Sequence, residues 1–230
     1  MIDHLFFDLD NTLWDHRKNA ELTLAALFKQ EKIELLYGVQ FHDFYKEYYT
    51  VNEDLWAKIR NGSIDKSYLR THRFLDTFRA FDIDNAELAA LFEGRFLDEI
   101  LQYNELVPGA FDLLEYLSEK SYSMHILSNG FEEVTARKCE LSGIKSYFKT
   151  ITSADEIDIR KPDPKIFQWA FDKSDARKEN SIYIGDDWIA DIEGALNYGM
   201  GAIFFDVFED RYTAPGVQVV RSLHEIKDLL

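Results

Sequence analysis

The sequence has little cysteine, little proline and no long apolar run, and each shortage excludes a class of protein. A single cysteine, Cys139, cannot build the intrachain disulfide framework that is typical of small secreted domains. Four prolines and 11 glycines leave no room for a Pro- or Gly-rich linker. No stretch approaches the roughly 18 apolar residues that span a bilayer, and the first residues, MIDHLFFDLD, lack the basic start of a secretory signal. We therefore expect a soluble cytoplasmic protein.

Basic residues are scarce relative to acidic ones. The chain has 26 Lys and Arg residues against 42 Asp and Glu residues, which gives a formal net charge of −16. A surface this acidic repels both a nucleic-acid backbone and an anionic membrane, so neither is an expected partner. Hydrophobic residues at 46 % and aromatic residues at 15 % are enough for a sizeable core, so the composition indicates a folded protein.

Short apolar segments alternate with helical patterns along the chain. Each segment is short, rich in β-branched or aromatic residues, and flanked by a helical pattern. Strands that alternate with helices favour an α/β protein with a parallel sheet. The expected strands are His4–Leu9, Ser123–Ser128, Ser181–Gly185 and Ala202–Phe205, with a weaker candidate near Thr150–Thr152.

The pattern changes between the first and second strands, where only helices are expected. Apolar residues recur there at the spacing of a buried helical stripe, and Pro108-Gly109 marks the return to the α/β pattern. This insert is too long for a loop, so we expect a helical subdomain over 15–107 inserted into an α/β core made of 1–14 and 108–230. The alternative is a decorated single domain without independent motion. The expected helices are Ala20–Gln30, Phe41–Ile59, Tyr68–Phe81 and Leu88–Leu101.

Polar side chains follow three of the expected strands. In open α/β sheets, ligands bind beyond the carboxyl ends of the strands, so these side chains predict one shared site. The alternative is a set of solvated turns, in which Asp is common, but three such clusters at three strand ends favour the site. The residues are Asp8, Asp10 and Thr12 after the first strand, Ser128 and Asn129 at the second, Asp186, Asp187 and Asp191 after Ser181–Gly185, and Lys161 ahead of that strand.

The aspartates indicate a cation. Asp8 and Asp10 point the same way from an extended strand end, because side chains alternate along a strand. Two adjacent carboxylates repel one another, and their ionised forms need a positive partner. Asp186 and Asp187 add two more carboxylates. Ligands that are all oxygen select a hard cation, so the sequence predicts a Mg²⁺ site.

A phosphate ester is the expected substrate of such a site. Mg²⁺ on carboxylates usually shares a phosphate oxygen, and a carboxylate can attack phosphorus to give an aspartyl-phosphate. One aspartate would attack, while the other donates a proton to the leaving oxygen and later takes one from water. Thr12, Ser128 and the main-chain amide of Asn129 are candidates to bind the phosphoryl oxygens, and Lys161 offers them a point charge.

Competing catalytic motifs are absent from the sequence. It contains no G-x-x-x-x-G-K-[ST], no G-x-G-x-x-G, no H-E-x-x-H and no G-x-S-x-G. The six histidines are scattered. We interpret His125, inside a strand, and Cys139, on an apparent helix, as core residues.

Four segments resemble, in order, the motifs of the haloacid dehalogenase superfamily: FFDLDNTLWD, ILSNG, RKPDPKIF and IGDDWIADIEGA. They span 6–195, with the helical insert between the first and the second. The resemblance implies a Rossmann-like core with a mobile helical cap. Within the insert, LWAKIRNGSIDKSYLRTHRF is similar to the cap of bacterial pyrimidine 5′-nucleotidases, the house-cleaning nucleotide phosphatases.

The same resemblance implies a role for each residue of the site. Asp8 would be the nucleophile and Asp10 the general acid/base. Mg²⁺ would be held by the carboxylates of Asp8 and Asp186 and by the main-chain carbonyl of Asp10. The residues implied to hold the phosphoryl group are Ser128 and Lys161, and those implied to support the metal or its waters are Asp187 and Asp191.

Asp10 also separates the branches of the superfamily. Haloacid dehalogenases resemble this chain but lack an aspartate two residues after the nucleophile, because the displacement of halide needs no proton donor. We therefore expect a Mg²⁺-dependent phosphomonoester hydrolase that acts on a small phosphorylated metabolite, as a nucleoside 5′-monophosphatase. The alternatives are a sugar-phosphate phosphatase, a phosphomutase, a 2-haloacid dehalogenase and a non-catalytic binding module.

Basic residues cluster in one part of the insert. Residues 58–79 contain six Lys and Arg residues against two aspartates, an excess of four positive charges in an acidic chain. The cluster is either a solvated helix face or a set of cations that meet an anionic substrate when the cap closes. The substrate-binding candidates are Arg60, Lys66 and Arg70. The overall charge therefore excludes nucleic-acid polymers but not a small phosphate ester.

Overall fold

The computed structural model describes residues 2–230, which form one six-stranded sheet and its surrounding helices. The strands are β1 (His4–Phe7), β2 (Ser123–Ser128), β3 (Phe148–Ser153), β4 (Ser181–Gly185), β5 (Gly201–Phe205) and β6 (Gln218–Val220). Every neighbouring pair is parallel, and the spatial order is β3-β2-β1-β4-β5-β6. The expected α/β fold with a parallel sheet is confirmed.

β1, β3 and β6 differ from the expected strands. β1 ends at Phe7 rather than Leu9, because the main-chain oxygen of Leu9 accepts hydrogen bonds from Leu13 N and Trp14 N and closes a turn. The weaker candidate near 150–152 is a full strand, β3. The sequence did not indicate β6, whose three residues are too few to show an alternating pattern.

The helices include all four that the insert predicts. Asp65 begins one of them, as its side chain accepts a hydrogen bond from Tyr68 N at 2.7 Å. The five-residue α2 was not expected. The helices are α1 (His16–Gln30), α2 (Ile33–Tyr37), α3 (Phe41–Arg60), α4 (Lys66–Arg79), α5 (Ala86–Glu99), α6 (Ala110–Glu119), α7 (Glu132–Leu141), α8 (Pro164–Asp172) and α9 (Gly194–Tyr198).

The central strands are buried by helices. Phe6 of β1 and Tyr183 of β4 pack in one cluster with Phe167 of α8 and residues of α9. The His125 ring stacks on Phe6 with 4.7 Å between ring centroids, and both His125 and Cys139 are fully buried. Their interpretation as core residues is confirmed.

The chain divides into two compact units, Met1–His16 with Asn104–Leu230, and Arg17–Tyr103. The sequence placed the ends of the insert at 15 and 107. Asp15 N donates to Glu105 O at 3.0 Å and Val107 N donates to Leu13 O at 2.9 Å. These bonds join the entering and leaving segments, so both lie with the α/β unit.

The helical unit has a core of its own. It is made of aromatic side chains from α3, α4 and α5, each at most 1 % exposed: Phe44, Tyr48, Phe74, Phe78, Phe92 and Phe96. Across residues 2–230, none of the helices combines the length and the apolar character that crossing a bilayer requires.

Candidate active site

Two strand ends supply the carboxylates of the site, and a third supplies Ser128 and Asn129. β1 lies between β2 and β4 in the sheet, so the residues that follow these strands are neighbours. Asp8 follows β1, and its N–H donates to Ile184 O at 2.9 Å. Carboxylate oxygens of Asp8, Asp186 and Asp191 lie within 4.8 Å of one another. The structure thus brings together Asp8 and Asp191, which are about 183 positions apart in the sequence.

Lys161 is the centre of the hydrogen bonding around these carboxylates. Its Nζ donates to Asp8 Oδ1 at 2.6 Å, to Asp191 Oδ1 at 2.7 Å and to the Tyr183 hydroxyl at 2.7 Å. The Tyr183 hydroxyl in turn donates to Leu127 O at 2.6 Å. An ammonium group has three N–H donors, and each has an acceptor here. Lys161, 1 % exposed, is therefore held in one position beside Asp8.

Asn129 fixes the main chain of Lys161. The side-chain Oδ1 of Asn129 accepts a hydrogen bond from Lys161 N at 2.8 Å, and its Nδ2 donates to Lys161 O at 3.0 Å. The sequence suggested the main-chain amide of Asn129 as a phosphate ligand. The side chain has a separate task, which is to attach the Lys161 segment to the end of β2.

Asp191 is held close to β4 by a glycine and by Asp187. A Cβ atom at Gly185 would lie 2.2 Å from Asp191 Oδ2, so only glycine allows this approach. Asp191 Oδ2 also accepts a hydrogen bond from Asp187 N at 3.0 Å. The Asp187 side chain accepts from Ile189 N and Ala190 N, both at 2.9 Å, and begins the short π-helix Trp188–Glu193 that carries Asp191.

Two hydroxyl groups lie at the same edge of the sheet. Thr12 Oγ1 donates to Asp186 Oδ1 at 3.0 Å, which orients that carboxylate. Ser128 Oγ accepts a hydrogen bond from Gly130 N at 2.9 Å. Both residues are at most 1 % exposed. Thr12 thus bonds to a carboxylate of the cluster, whereas Ser128 keeps its hydroxyl hydrogen for another acceptor.

Asp10 has different surroundings from Asp8. Its Oδ1 accepts a hydrogen bond from Lys138 Nζ at 2.6 Å, and His16 Nδ1 lies 3.9 Å from the same oxygen. Lys138 lies outside the motifs that the sequence predicts for the site. The available signal was its position on α7, where it shares the buried face with Val134, Thr135 and Cys139. A lysine on the apolar face of a helix requires a buried partner.

The carboxylates of the cluster carry excess negative charge. Burial raises the pKa of Asp8 to about 7 despite the ion pair with Lys161, and Asp191 and Asp10 add to the rise. Burial, with Asp8 and Asp191 nearby, raises the pKa of Asp186 well above its usual range. The ionised carboxylates of Asp8 and Asp186 therefore have too little positive charge around them. A set of oxygen ligands with this deficit fits a hard divalent cation.

The pKa of Asp10 shifts in the opposite direction. Burial alone would raise it, but Lys138 and His16 outweigh burial and hold the pKa of Asp10 below its usual value. The two aspartates that flank Leu9 therefore differ electrostatically. Asp8 shares the charge of Lys161 with Asp191, whereas Asp10 pairs with Lys138.

The basic segment of the helical unit is largely neutralised by acids outside it. Lys58 pairs with Asp54 at 2.6 Å and Arg79 with Asp84 at 2.8 Å. The buried Arg73 makes bonds of 2.8 to 3.0 Å with Glu93 of α5. The excess of positive charge that the sequence count suggests is therefore not the charge of this surface.

The three substrate-binding candidates lie at the α3–α4 turn and along α4. Arg60 ends α3, Lys66 begins α4, and Arg70 follows one turn later. Arg70 Nε lies 3.4 Å from Glu93 Oε1. All three are residues of the helical unit.

Comparison with known proteins adds to this geometry. The model of one protein family, described as haloacid dehalogenase-like hydrolase, matches residues 2–199. The pyrimidine 5′-nucleotidase PynA of Streptococcus pneumoniae is 29 % identical over 98 % of this chain and 94 % of its own length. The pyrimidine 5′-nucleotidase YjjG of Escherichia coli is 27 % identical over 99 % of this chain and 97 % of its own length.

A solved structure is similar over the whole chain. It is that of the HAD-hydrolase YfnB of Bacillus subtilis, bound to magnesium. The two chains superimpose with a TM-score of 0.89 at 25 % identity, over 100 % of this chain and 98 % of the other. The sheet and the helices described above are therefore those of a known fold.

Proposed function

The chain belongs to the haloacid dehalogenase-like hydrolases, and we propose that it hydrolyses nucleoside 5′-monophosphates through an aspartyl-phosphate on Asp8. The observation that carries this proposal is the contrast between the two aspartates that follow β1. Asp8 lies in the carboxylate cluster, 2.6 Å from Lys161 Nζ. Asp10 is paired with Lys138 instead. The reaction needs one carboxylate to attack phosphorus and a second to exchange a proton, and we assign these roles to Asp8 and Asp10. The lowered pKa of Asp10 favours its ionised form, which is the form that takes a proton from water in the second half-reaction.

The reaction has two half-reactions. In the first, an ionised carboxylate oxygen of Asp8 attacks phosphorus and the ester P–O bond breaks. Asp10, which has to be protonated for this step, donates its proton to the departing alcohol oxygen. In the second, water attacks the same phosphorus while Asp10 takes a proton from that water. The bond between Asp8 and phosphorus then breaks and inorganic phosphate leaves. Asp10 returns to its starting protonation state, so the cycle closes.

Lys161 and Ser128 are suited to bind the phosphoryl group. The Lys161 ammonium is fixed beside Asp8, and its three N–H donors already have protein acceptors. It therefore acts on the phosphoryl group through its positive charge, which offsets the negative charge that develops on the phosphoryl oxygens. The Ser128 hydroxyl, which accepts from Gly130 N, is left to donate to one of these oxygens. The main-chain amide of Asn129 is a further donor, and Thr12 acts by orienting Asp186.

A magnesium ion fits the carboxylate cluster. Asp8 and Asp186, with the main-chain carbonyl of Asp10, would hold the ion. Asp187 and Asp191 would support the metal or its waters. When bound, Mg²⁺ supplies positive charge that offsets the carboxylates and the phosphate group. The raised pKa values of Asp8 and Asp186 support this assignment, as does the magnesium in the YfnB structure.

The nucleotide is proposed as the substrate on similarity. PynA and YjjG, both named pyrimidine 5′-nucleotidases, match nearly the whole chain, including the helical unit. A small phosphorylated metabolite also agrees with the charge of the chain, because Lys161 supplies positive charge beside Asp8 even though the net charge is −16.

A phosphate-release screen tests this function. The purified protein with Mg²⁺ is assayed on pyrimidine and purine nucleoside 5′-monophosphates and on sugar phosphates, with Asp8→Asn as a matched variant that cannot attack. We expect the fastest release from a pyrimidine nucleotide, and none from Asp8→Asn or in EDTA. Activity that survives both treatments would overturn the mechanism. Fastest release from a sugar phosphate would change the substrate class, and isomerised phosphate would indicate a mutase.

A further inference from the structure

Lys138 is a buried lysine whose charged end contacts Asp10. The residue is 4 % exposed. Its Nζ lies 2.6 Å from Asp10 Oδ1 and 4.3 Å from the centre of the Trp14 ring. Burying an ammonium group is costly unless it is paired. Both the carboxylate and the face of the buried indole stabilise it here.

The helix that carries Lys138 holds it firmly. The residues buried on the same face of α7 are Val134, Thr135 and Cys139, so the stem of Lys138 packs in the core. The Thr135 hydroxyl also donates to Phe131 O at 2.8 Å, in the turn that precedes the helix. A charged group on a packed helix is placed more accurately than one on a loop.

The Asp10 side chain is partly exposed although it contacts a buried lysine. The Asp10 side chain is 26 % exposed, against 5 % for that of Lys138. A Cβ atom at Gly130 would lie 3.4 Å from Asp10 Oδ2, so this second oxygen faces a residue without a side chain. Lys138 therefore holds Oδ1 of Asp10, while the Asp10 side chain as a whole remains partly exposed.

We propose that Lys138 is a positioning residue for proton transfer: it fixes the Asp10 carboxylate towards the leaving oxygen. This inference rests on the proposed function. Without Lys138, the Asp10 side chain can rotate. A cation bound by the other carboxylates would then draw the Asp10 carboxylate away from the leaving oxygen. Since Lys138 is buried, it acts through Asp10 and not by contact with the substrate.

A positioning role makes the effect of Lys138 depend on the leaving group. The alcohol of a nucleoside 5′-monophosphate needs a proton as it leaves, whereas p-nitrophenolate leaves readily without one. The ratio kcat/KM reports the steps up to departure of the leaving group. Loss of a well-placed Asp10 should therefore lower kcat/KM for the nucleotide much more than for p-nitrophenyl phosphate.

The test measures both esters with Lys138→Met, which keeps the apolar stem. We expect kcat/KM to fall about 10- to 100-fold for the nucleotide and less than about threefold for p-nitrophenyl phosphate. Lys138→Arg, which keeps the charge, should recover most of the nucleotide activity. The control is Lys145→Met, an exposed lysine 3.2 Å from Glu140, which should leave both rates unchanged.

The results separate this inference from the proposed function. An equal fall for both esters, or no fall for either, would overturn the positioning role while wild-type turnover supports the function. A folded wild type that hydrolyses neither ester would overturn the proposed function, and the inference with it. If circular dichroism shows that Lys138→Met is unfolded, Lys138→Gln is measured against the same two expectations.

Discussion

Replacing Gly185 with alanine should displace Asp191 and disrupt the site. The new Cβ would lie 2.2 Å from Asp191 Oδ2, and real Cβ contacts are essentially never under 3.0 Å. Asp191 must therefore move by about 0.8 Å or more, because a packed interior gives little room. Gly185 cannot retreat, since β4 is hydrogen-bonded between β1 and β5.

The displacement breaks two contacts of Asp191. Its oxygens lie 2.7 Å from Lys161 Nζ and 3.0 Å from Asp187 N, and both are lost or lengthened by such a shift. Weakening hydrogen bonds to a buried charge should cost about 2 to 4 kcal/mol. For a chain of this size, the Tm should fall by roughly 5 to 15 °C. Because Lys161 also contacts Asp8, we expect kcat to fall as well.

Thermal denaturation followed by circular dichroism measures this effect, with Gly94→Ala as the matched control. Gly94 lies inside α5, and no atom lies within 4 Å of an added Cβ there. The control should be stabilised by about 0.5 to 1 kcal/mol, because alanine favours a helix interior. If Gly185→Ala melts within about 2 °C of the wild type and keeps its kcat, the packing argument is wrong.

Three further predictions concern charge. Metal-free protein should lose stability as the pH rises from about 4 to about 7, because burial raises the pKa of folded Asp8 to about 7 and the folded state binds the extra proton. Melts in EDTA measure this, and an unchanged slope in Asp8→Asn would contradict it. We expect Arg60, Lys66 and Arg70 to attract an anionic substrate, so neutralising all three together should raise KM for a nucleotide about threefold or more. An unchanged KM in steady-state assays would contradict this expectation. Glu93→Gln should lower the free energy of unfolding by about 3 kcal/mol, because it weakens the ion pair with the buried Arg73 guanidinium. A loss of less than about 1 kcal/mol in urea titrations would contradict this prediction.

The strand ends could be predicted from the sequence because their signals are local. Asp8, Ser128 and Asp186 each follow a short apolar segment, and parallel strands bring such positions to one edge of the sheet. The order of the strands then decides which polar residues meet. The hydrogen bonds that join Lys161 to Asp8 and to Tyr183 depend on that order, and the sequence pattern does not contain it.

Pairs of distant residues could not be predicted in this way. Asp10 and Lys138 belong to different elements, and the sequence around either residue does not predict a contact with the other. The basic segment of the insert shows the same limit. A count of charged residues along the sequence gives this segment an excess of positive charge. In the structure, however, Glu93 of a different helix pairs with Arg73. Charge along a chain differs from charge in space once helices pack.

The central claim is that Asp8 carries the phosphoryl group during turnover. The most direct measurement mixes the protein with Mg²⁺ and a nucleoside 5′-monophosphate, quenches the reaction in acid within milliseconds, and examines the peptides by mass spectrometry. The account predicts one added phosphoryl group on the peptide that contains Asp8, and none on that peptide in Asp8→Asn. Full turnover by a protein whose Asp8 peptide is never phosphorylated would contradict it.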